Sequence, residues 1–256
     1  MPLPPCYSRR IALIDLSRQK VVVRPTPPKL ATTWLGGKGW GAYWLLDHAL
    51  SDPLDPKALC ILATGPITGL PFPGAAKSGL FFRSPLTTFF GESYCGGYFG
   101  PLLKQSGFDA LLITGRASHP VYILVEDQRV ELCRAERLWG LTSWEAEAAL
   151  HDEHGRRAAV AVIGPAGERL VRFACITHTY GRQACLCGGG AVWGSKHLKA
   201  IVAAGGDFEP EPADPDTFDT LRREVVDEAT HVLRSLTTYG TPSIVRRTQA
   251  AGVLPT

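Results

Sequence analysis

The 256-residue chain carries 27 Lys and Arg against 24 Asp and Glu, a net charge of +3, with 45% hydrophobic and 20% charged residues. That balance excludes a disordered chain. Without a basic block it also argues against nucleic acid or an anionic membrane as partner. No apolar run reaches the ~18 residues of a spanning helix. Met1-Pro2-Leu3-Pro4-Pro5 lacks the apolar core of a secretory leader. The seven cysteines (Cys6, Cys60, Cys95, Cys133, Cys175, Cys185 and Cys187) are odd in number and scattered, which reads as a reducing cytoplasm.

In chain order, Arg10 to Leu16 alternates partly and is followed by the polar Ser17-Arg18-Gln19 and then by Lys20 to Arg24, a hairpin signal. Further strands are expected at Leu59 to Ala63, Ser78 to Arg83, Ala110 to Thr114, Val121 to Glu126, Arg129 to Cys133, Ala158 to Ile163, Leu170 to Ile176 and Ala200 to Ala204. Asp127-Gln128 is a tight hairpin turn. Helices are expected at Gly39 to Leu50, from Thr142 to about His154 with Thr142 and Glu145 as a capping box, and at Ala191 to Leu198. His151 and His154, at the polar end of the second of these, read as solvated. A last helix begins behind the cap Asp214-Pro215, with Phe218, Leu221, Val225, Ala229, Val232 and Leu236 as one apolar stripe.

Short, hairpin-linked strands imply an α+β fold with two largely antiparallel sheets rather than a Rossmann sheet. The acidic, Pro-rich run from Asp207 to Ala213 reads as a linker. Three parts are therefore expected: a β-rich domain over 1–206, a linker over 207–214 and a helical segment over 215–256. That segment is too short to close its own core, so its stripe must pack on something else.

Four glycine-rich stretches carry the functional signal. Leu35-Gly36-Gly37-Lys38-Gly39 runs into a helix, where backbone N–H groups and Lys38 suit an anion. The Gly-x4-Gly-Lys spacing of a nucleotide P-loop is missing, which weighs against a nucleotide enzyme. Gly65-Pro66-Ile67-Thr68-Gly69 leads on to Lys77, a point charge before a strand. Ser93-Tyr94-Cys95-Gly96-Gly97 sets hydroxyls beside paired glycines. The aromatics around it, Phe89, Phe90, Tyr98 and Phe99, read as core. Cys185-Leu186-Cys187-Gly188-Gly189-Gly190 offers Cys-x-Cys, but a tetrahedral metal site needs about four ligands and no second pair exists. No catalytic acid, base or metal ligand is assigned from spacing.

Taken together these stretches resemble the N-terminal domain of the aldehyde ferredoxin oxidoreductase family. The resemblance rests on Trp34-Leu35-Gly36-Gly37-Lys38-Gly39, Ala63-Thr64-Gly65-Pro66-Ile67-Thr68-Gly69, Ser84-Pro85-Leu86-Thr87 and Gly96-Gly97-Tyr98-Phe99-Gly100. It continues through Gly107-Phe108-Asp109-Ala110, Ile163-Gly164-Pro165-Ala166-Gly167-Glu168, Gly190-Ala191-Val192-Trp193-Gly194-Ser195-Lys196, Tyr239-Gly240-Thr241 and Gly252-Val253-Leu254-Pro255-Thr256. It implies two sheets forming a base beneath a tungsten (or molybdenum) bis-molybdopterin cofactor with a bridging Mg2+. The implied cofactor-binding residues are Lys38, Lys77, Ser93, Tyr94, Cys95, Gly96, Gly97, Leu186, Cys187, Gly188, Gly189 and Gly190. The implied reaction is aldehyde plus water to carboxylic acid, with electrons passing through a [4Fe–4S] cluster to ferredoxin.

Family members are more than twice this length, and their cluster cysteines and remaining pterin motifs lie in helical domains beyond the end of this chain. The isolated chain is therefore expected to be inactive, needing those C-terminal domains or a separate subunit, with a homodimer left open. The alternative is a non-catalytic scaffold or split subunit. Three departures stand out: Lys77 where relatives have Arg, Tyr94 where they often have Asn, and Leu186-Cys187 in place of Arg-Gly. The first loses a bidentate fork and the second is a poorer ligand for a hard cation.

Overall fold

Alternation of side chains across two sheets organises the chain. The computed structural model describes residues 2–48 and 52–254. The chain divides into two compact units, Met1–Leu70 with Gly74–Ala213, and Pro71–Pro73 with Asp214–Thr256.

In the first unit β1 (Arg10–Asp15) and β2 (Lys20–Pro25) form the expected hairpin. Next come α1 (Pro28–Trp34), α2 (Gly37–Leu46), β3 (Cys60–Thr64), β4 (Ser78–Arg83), β5 (Phe90–Cys95), α3 (Phe99–Gln105) and β6 (Ala110–Thr114). They continue with β7 (Val121–Glu126), β8 (Arg129–Arg134), α4 (Ser143–His154), β9 (Ala159–Val162), α5 (Pro165–Glu168), β10 (Ile176–His178), β11 (Arg182–Ala184), α6 (Gly189–Ser195) and β12 (Leu198–Gly205). One sheet has the order β2-β1-β6-β3-β4-β5 and the other β11-β10-β9-β12-β7-β8. Each sheet is mixed. β1 runs parallel to β6 and β7 parallel to β12, and the remaining pairs are antiparallel. The fold is α+β.

Alternation explains the layers. Ala12, Ile14, Leu62, Leu80 and Phe82 of the first sheet meet Ile123, Val125, Ala161 and Ile201 of the second in one core. Phe99 and Leu103 of α3 and Trp193 of α6 fill it out. The outer face of the first sheet, with Ile61, Ala63 and Phe81, is covered by Leu30 and Ala31 of α1 and Trp40 of α2. That of the second, with Val160, Val162 and Val202, is covered by Ala146 and Leu150 of α4.

Local signals predicted several elements well. The Thr142 hydroxyl accepts from Glu145 N while Glu145 accepts from Thr142 N, so the capping box opens α4 as expected. Asp127 and Gln128 both have positive φ, +39° and +65°, the conformation of a two-residue hairpin turn.

Other expectations fail. Leu170 to Ile176 is not a strand. Leu170 takes φ +59°, and Val171 N and Ala174 N close turn bonds to Ala166 O and Val171 O. The strand begins only at Ile176. The helix expected at Gly39 to Leu50 spans Gly37–Leu46, and Ala49 and Leu50 lie outside the described residues. The helix expected at Ala191 to Leu198 is Gly189–Ser195. Of the four aromatics read as core, only Phe99 is buried; Phe89, Phe90 and Tyr98 are exposed. His151 is buried rather than solvated, because α4 lies against the β10–β11 turn, where the His151 ring stacks on Tyr180 at 4.8 Å. His154 is half-buried against Tyr122, with Nε2 3.0 Å from the phenol oxygen.

The second unit holds α7 (Pro215–Val232), α8 (Arg234–Tyr239) and α9 (Val245–Ala250). Asp214 caps α7 by accepting from Thr217 N at 3.0 Å. The stripe crosses a break at Leu233, and Leu221, Val232 and Leu236 are exposed. Among the described residues no helix is long and apolar enough to cross a membrane.

Candidate functional site

The site grows from the end of the first sheet. Ser78 of β4 pairs in register with Cys95 of β5, so Lys77 and Gly96 stand together just past the last pair. A tight hairpin joins β10 to β11, with Thr179, Tyr180 and Gly181 at φ +48°, +53° and +109°. His178 and Arg182 close it. Glu147 and His151 of α4 brace the turn from behind. Tyr180 N donates to Glu147 Oε1 at 2.9 Å, and Glu147 is fully buried. Burial raises the Glu147 carboxyl pKa above its ordinary value.

This bracing sets Arg182 over the glycine pair. A Cβ on Gly96 would stand 3.6 Å from Lys77 Nζ and 3.8 Å from Arg182 Nη1, so the space above Gly96 lies between two cations. Gly97 has φ +68°, and a Cβ there would approach Thr179 Oγ1 to 3.3 Å. Glycine therefore serves the turn and leaves room for a ligand. Among the described residues no carboxylate lies within ion-pair distance of Lys77 or Arg182. His178 is buried beside them. Burial first, then the charges of Arg182 and Lys77, push its pKa down to about 4. The imidazole is thus neutral near pH 7, and two cations face outward with their charge uncompensated. That donor set suits a phosphate or pyrophosphate.

Lys77 and Tyr94 also border a cavity of about 260 Å³ whose far wall is Gly65 and Thr68. The Gly65 loop is anchored from below. Asp109, buried under it, accepts from Ser8 N, Arg9 N, Thr26 Oγ1 and Lys104 Nζ at 2.9, 3.0, 2.6 and 2.6 Å. Lys104 Nζ also lies 3.4 Å from Gly65 O.

The remaining expected site residues fall in varied places. Lys38 is exposed and paired with Glu92 at 2.9 Å, and the Tyr94 hydroxyl donates to the same carboxylate at 3.1 Å. The Glu92 hydrogen bond raises Lys38's pKa, and burial followed by Glu92 raises Tyr94's. The Ser93 hydroxyl is buried and donates to Leu186 O at 2.5 Å, while the Leu186 side chain is exposed. Cys95 points into the core, where burial pushes its thiol up to about 12, so only its backbone is available.

Cys187 sits at φ +68° with its carbonyl bound by Ser84 Oγ at 2.8 Å. Gly188 to Gly190 are buried in close backbone packing. A Cβ on Gly188 would overlap Arg172 O, one on Gly189 would meet Phe82, and one on Gly190 would come 2.5 Å from Cys175 O. Geometry therefore gathers Lys77, Tyr94, Gly96 and Gly97 and leaves Lys38 neutralised at the margin. Arg182 was missed by sequence reasoning. Its signal was Gly181-Arg182 after a turn, masked by the strand wrongly expected at Leu170 to Ile176. Among the described residues no group of three or more His, Cys, Asp or Glu is placed to hold a metal.

Two facing mixed sheets, with helices on their outer faces and two exposed cations beside a glycine pair at one sheet end, define an α+β domain. A family model for the aldehyde ferredoxin oxidoreductase N-terminal domain matches residues 11–205. The tungsten-containing aldehyde ferredoxin oxidoreductase of Pyrococcus abyssi is 38% identical over 256 residues, covering 98% of this chain and 42% of that protein. The WOR-like subunit of aliphatic sulfonate oxidoreductase from Pyrococcus furiosus is 32% identical, covering 91% of this chain and 39% of that one. Among solved structures, the active-site complex BamBC of benzoyl-coenzyme A reductase with 1,5-dienoyl-CoA superposes with a TM-score of 0.85 at 31% identity. That match covers 90% of this chain and 35% of the other. The chain belongs to the aldehyde ferredoxin oxidoreductase family, as its N-terminal domain. It spans about 42% of the length of the tungsten-containing relatives it matches.

Proposed function

We propose that this chain is the pterin-cofactor platform of a tungsten-dependent, cytoplasmic aldehyde:ferredoxin oxidoreductase-like enzyme. The observation that carries the reading is the pair Lys77 and Arg182 over Gly96-Gly97, with neutral His178 behind them. Lys77 and Arg182 hold the phosphate oxygens of the cofactor. Gly96 and Gly97 let the ligand approach the backbone. Tyr94 and the Gly65 loop border the adjoining cavity, which shares Lys77. Lys38 sits at the rim with Glu92, and the Leu186 to Gly190 backbone forms the opposite shoulder, fixed by Ser84 and Ser93.

When bound, the metal–pterin group would supply the two-electron oxidation of aldehyde plus water to carboxylic acid and two protons, and a [4Fe–4S] cluster would pass the electrons to ferredoxin. The cluster, the second half of the pterin site and the substrate pocket come from the remainder of the protein or from a separate subunit. A bridging Mg2+ would find an oxygen donor in the Tyr94 hydroxyl, whose lone pairs stay free while its proton is donated to Glu92.

Isothermal titration of the chain with inorganic pyrophosphate tests the cradle. Wild type should bind one equivalent, and Lys77→Gln/Arg182→Gln should lose at least tenfold in affinity, the loss of two charge-assisted contacts worth about 1.5–3 kcal/mol each. Equal binding by both proteins contradicts the assignment.

A further inference from the structure

The outward face of the β10–β11 hairpin carries a feature the cofactor site does not use. Register pairs Ile176 with Ala184, Thr177 with Gln183 and His178 with Arg182. One step toward the open end, just past the last paired residues, the same register continued would set Cys175 opposite Cys185. Directly opposed residues share a face, and faces alternate along a strand. Ile176 and Ala184 turn into the core. Thr177 and Gln183 lie on the other face and touch, with Gln183 Nε2 donating to Thr177 Oγ1 at 3.1 Å. Cys175 and Cys185 share that second face. Cys175 Sγ already lies 3.9 Å from Cys185 O. Opposed residues of an antiparallel pair have Cα atoms about 4.5–5.5 Å apart, inside the window of about 4.4–6.8 Å that a disulfide takes. Cys187 is turned elsewhere, with its Cβ against Gly91 of β5.

We propose that Cys175 and Cys185 are a reversible dithiol–disulfide pair, a redox modification site on the strand that leads into Leu186 to Gly190. Cys185 is exposed and Cys175 half-buried, so Cys185 is the entry thiol. Its thiolate attacks one sulfur of a small-molecule disulfide such as oxidised glutathione and expels one thiolate. Cys175 then loses its proton to solvent and attacks the Cys185 sulfur, expelling the second thiolate. One S–S bond forms in the protein and one breaks in the oxidant, which leaves as two thiols. Burial, then the neighbouring Cys185, raises the pKa of the Cys175 thiol, which fits the resolving role.

The test is peptide mapping of the full chain after equilibration in glutathione buffers and alkylation of free thiols. Trypsin cuts after Arg172, Arg182 and Lys196, so the two cysteines fall in separate peptides, 173–182 and 183–196. A linked pair, lighter than the sum by two hydrogens and lost on reduction, is the expected product. Cys185→Ser, a change at an exposed position, should abolish it, and Cys187→Ser should leave it intact. Complete alkylation of Cys175 and Cys185 at every glutathione ratio overturns the proposal, as does a linked pair that survives Cys185→Ser. The readout needs no cofactor, so its failure and failure of the pterin reading are separate results.

Discussion

Replacing Arg182 with Gln removes one of the two charges that lower the His178 pKa, the one paired with His178 across the hairpin. Burial is the largest cause of the low His178 pKa, and the Arg182 charge comes next. Two unit charges about 6 Å apart at an effective dielectric near 40 interact by about 1.4 kcal/mol, which is about one pKa unit. His178 should therefore titrate about one unit above its wild-type value of about 4 in Arg182→Gln. Saturating pyrophosphate should raise the wild-type value in the same direction, because a bound anion offsets both cations. The assay is the pH titration of histidine ring protons by NMR, with the His178 resonance assigned from His178→Gln. Arg182 is exposed, so thermal stability should change little. A His178 pKa that ignores both the substitution and the anion would refute the cradle, because it would place Arg182 away from the imidazole.

Three further outcomes follow from the same geometry. Asp109→Asn strands the fully buried Lys104 ammonium, so urea unfolding should show a loss of about 3–5 kcal/mol, while Lys104→Met/Asp109→Asn, which removes the stranded charge and keeps an amide oxygen for the Ser8, Arg9 and Thr26 donors, should recover part of it; a loss below about 1 kcal/mol in the single variant would contradict the buried pair. Lys196 is fully buried with its pKa lowered to about 8, mainly by burial. Between about pH 8 and the unfolded value near 10.5 the unfolded chain binds more protons. Wild type should therefore gain about 3 kcal/mol on Lys196→Met as pH rises through that window and none below it; parallel curves would rule this out. Gly188→Ala adds a Cβ that overlaps Arg172 O at φ +82°, so it should cost more than about 2 kcal/mol in chemical denaturation, whereas an alanine tolerated there would mean the glycine run is not a packing element.

Legibility in the sequence tracked distance along the chain. The β1–β2 and β7–β8 hairpins, the Thr142 capping box and the Asp214 cap involve neighbouring residues, and local chemistry identified them. Leu170 to Ala174 is apolar enough for a strand, but the segment turns because Gly188 and Gly190 press on the carbonyls of Arg172, Ala174 and Cys175, a constraint written elsewhere in the sequence. Gly91-Glu92-Ser93 lacks apolar alternation and carries no local strand signal; pairing with β4 makes β5 a strand. The burial of His151 depends on Tyr180, and the meaning of Arg182 depends on Lys77. Neither pairing leaves a local signature. The glycine stretches marked the right region, yet Gly188 to Gly190 and Cys95 owe their positions to packing, while the exposed charges sit at Lys77 and Arg182.

The most direct measurement is the pterin and metal content of the protein purified, with the remainder of its assembly, from a host that makes the cofactor and is supplied with tungstate. Oxidative extraction followed by pterin fluorescence and elemental analysis gives both numbers on one sample. The account predicts pterin and tungsten together in the wild type, and their joint loss in Lys77→Gln/Arg182→Gln with the fold retained by circular dichroism. Wild-type protein without pterin, or a double variant that keeps its full complement, would contradict it.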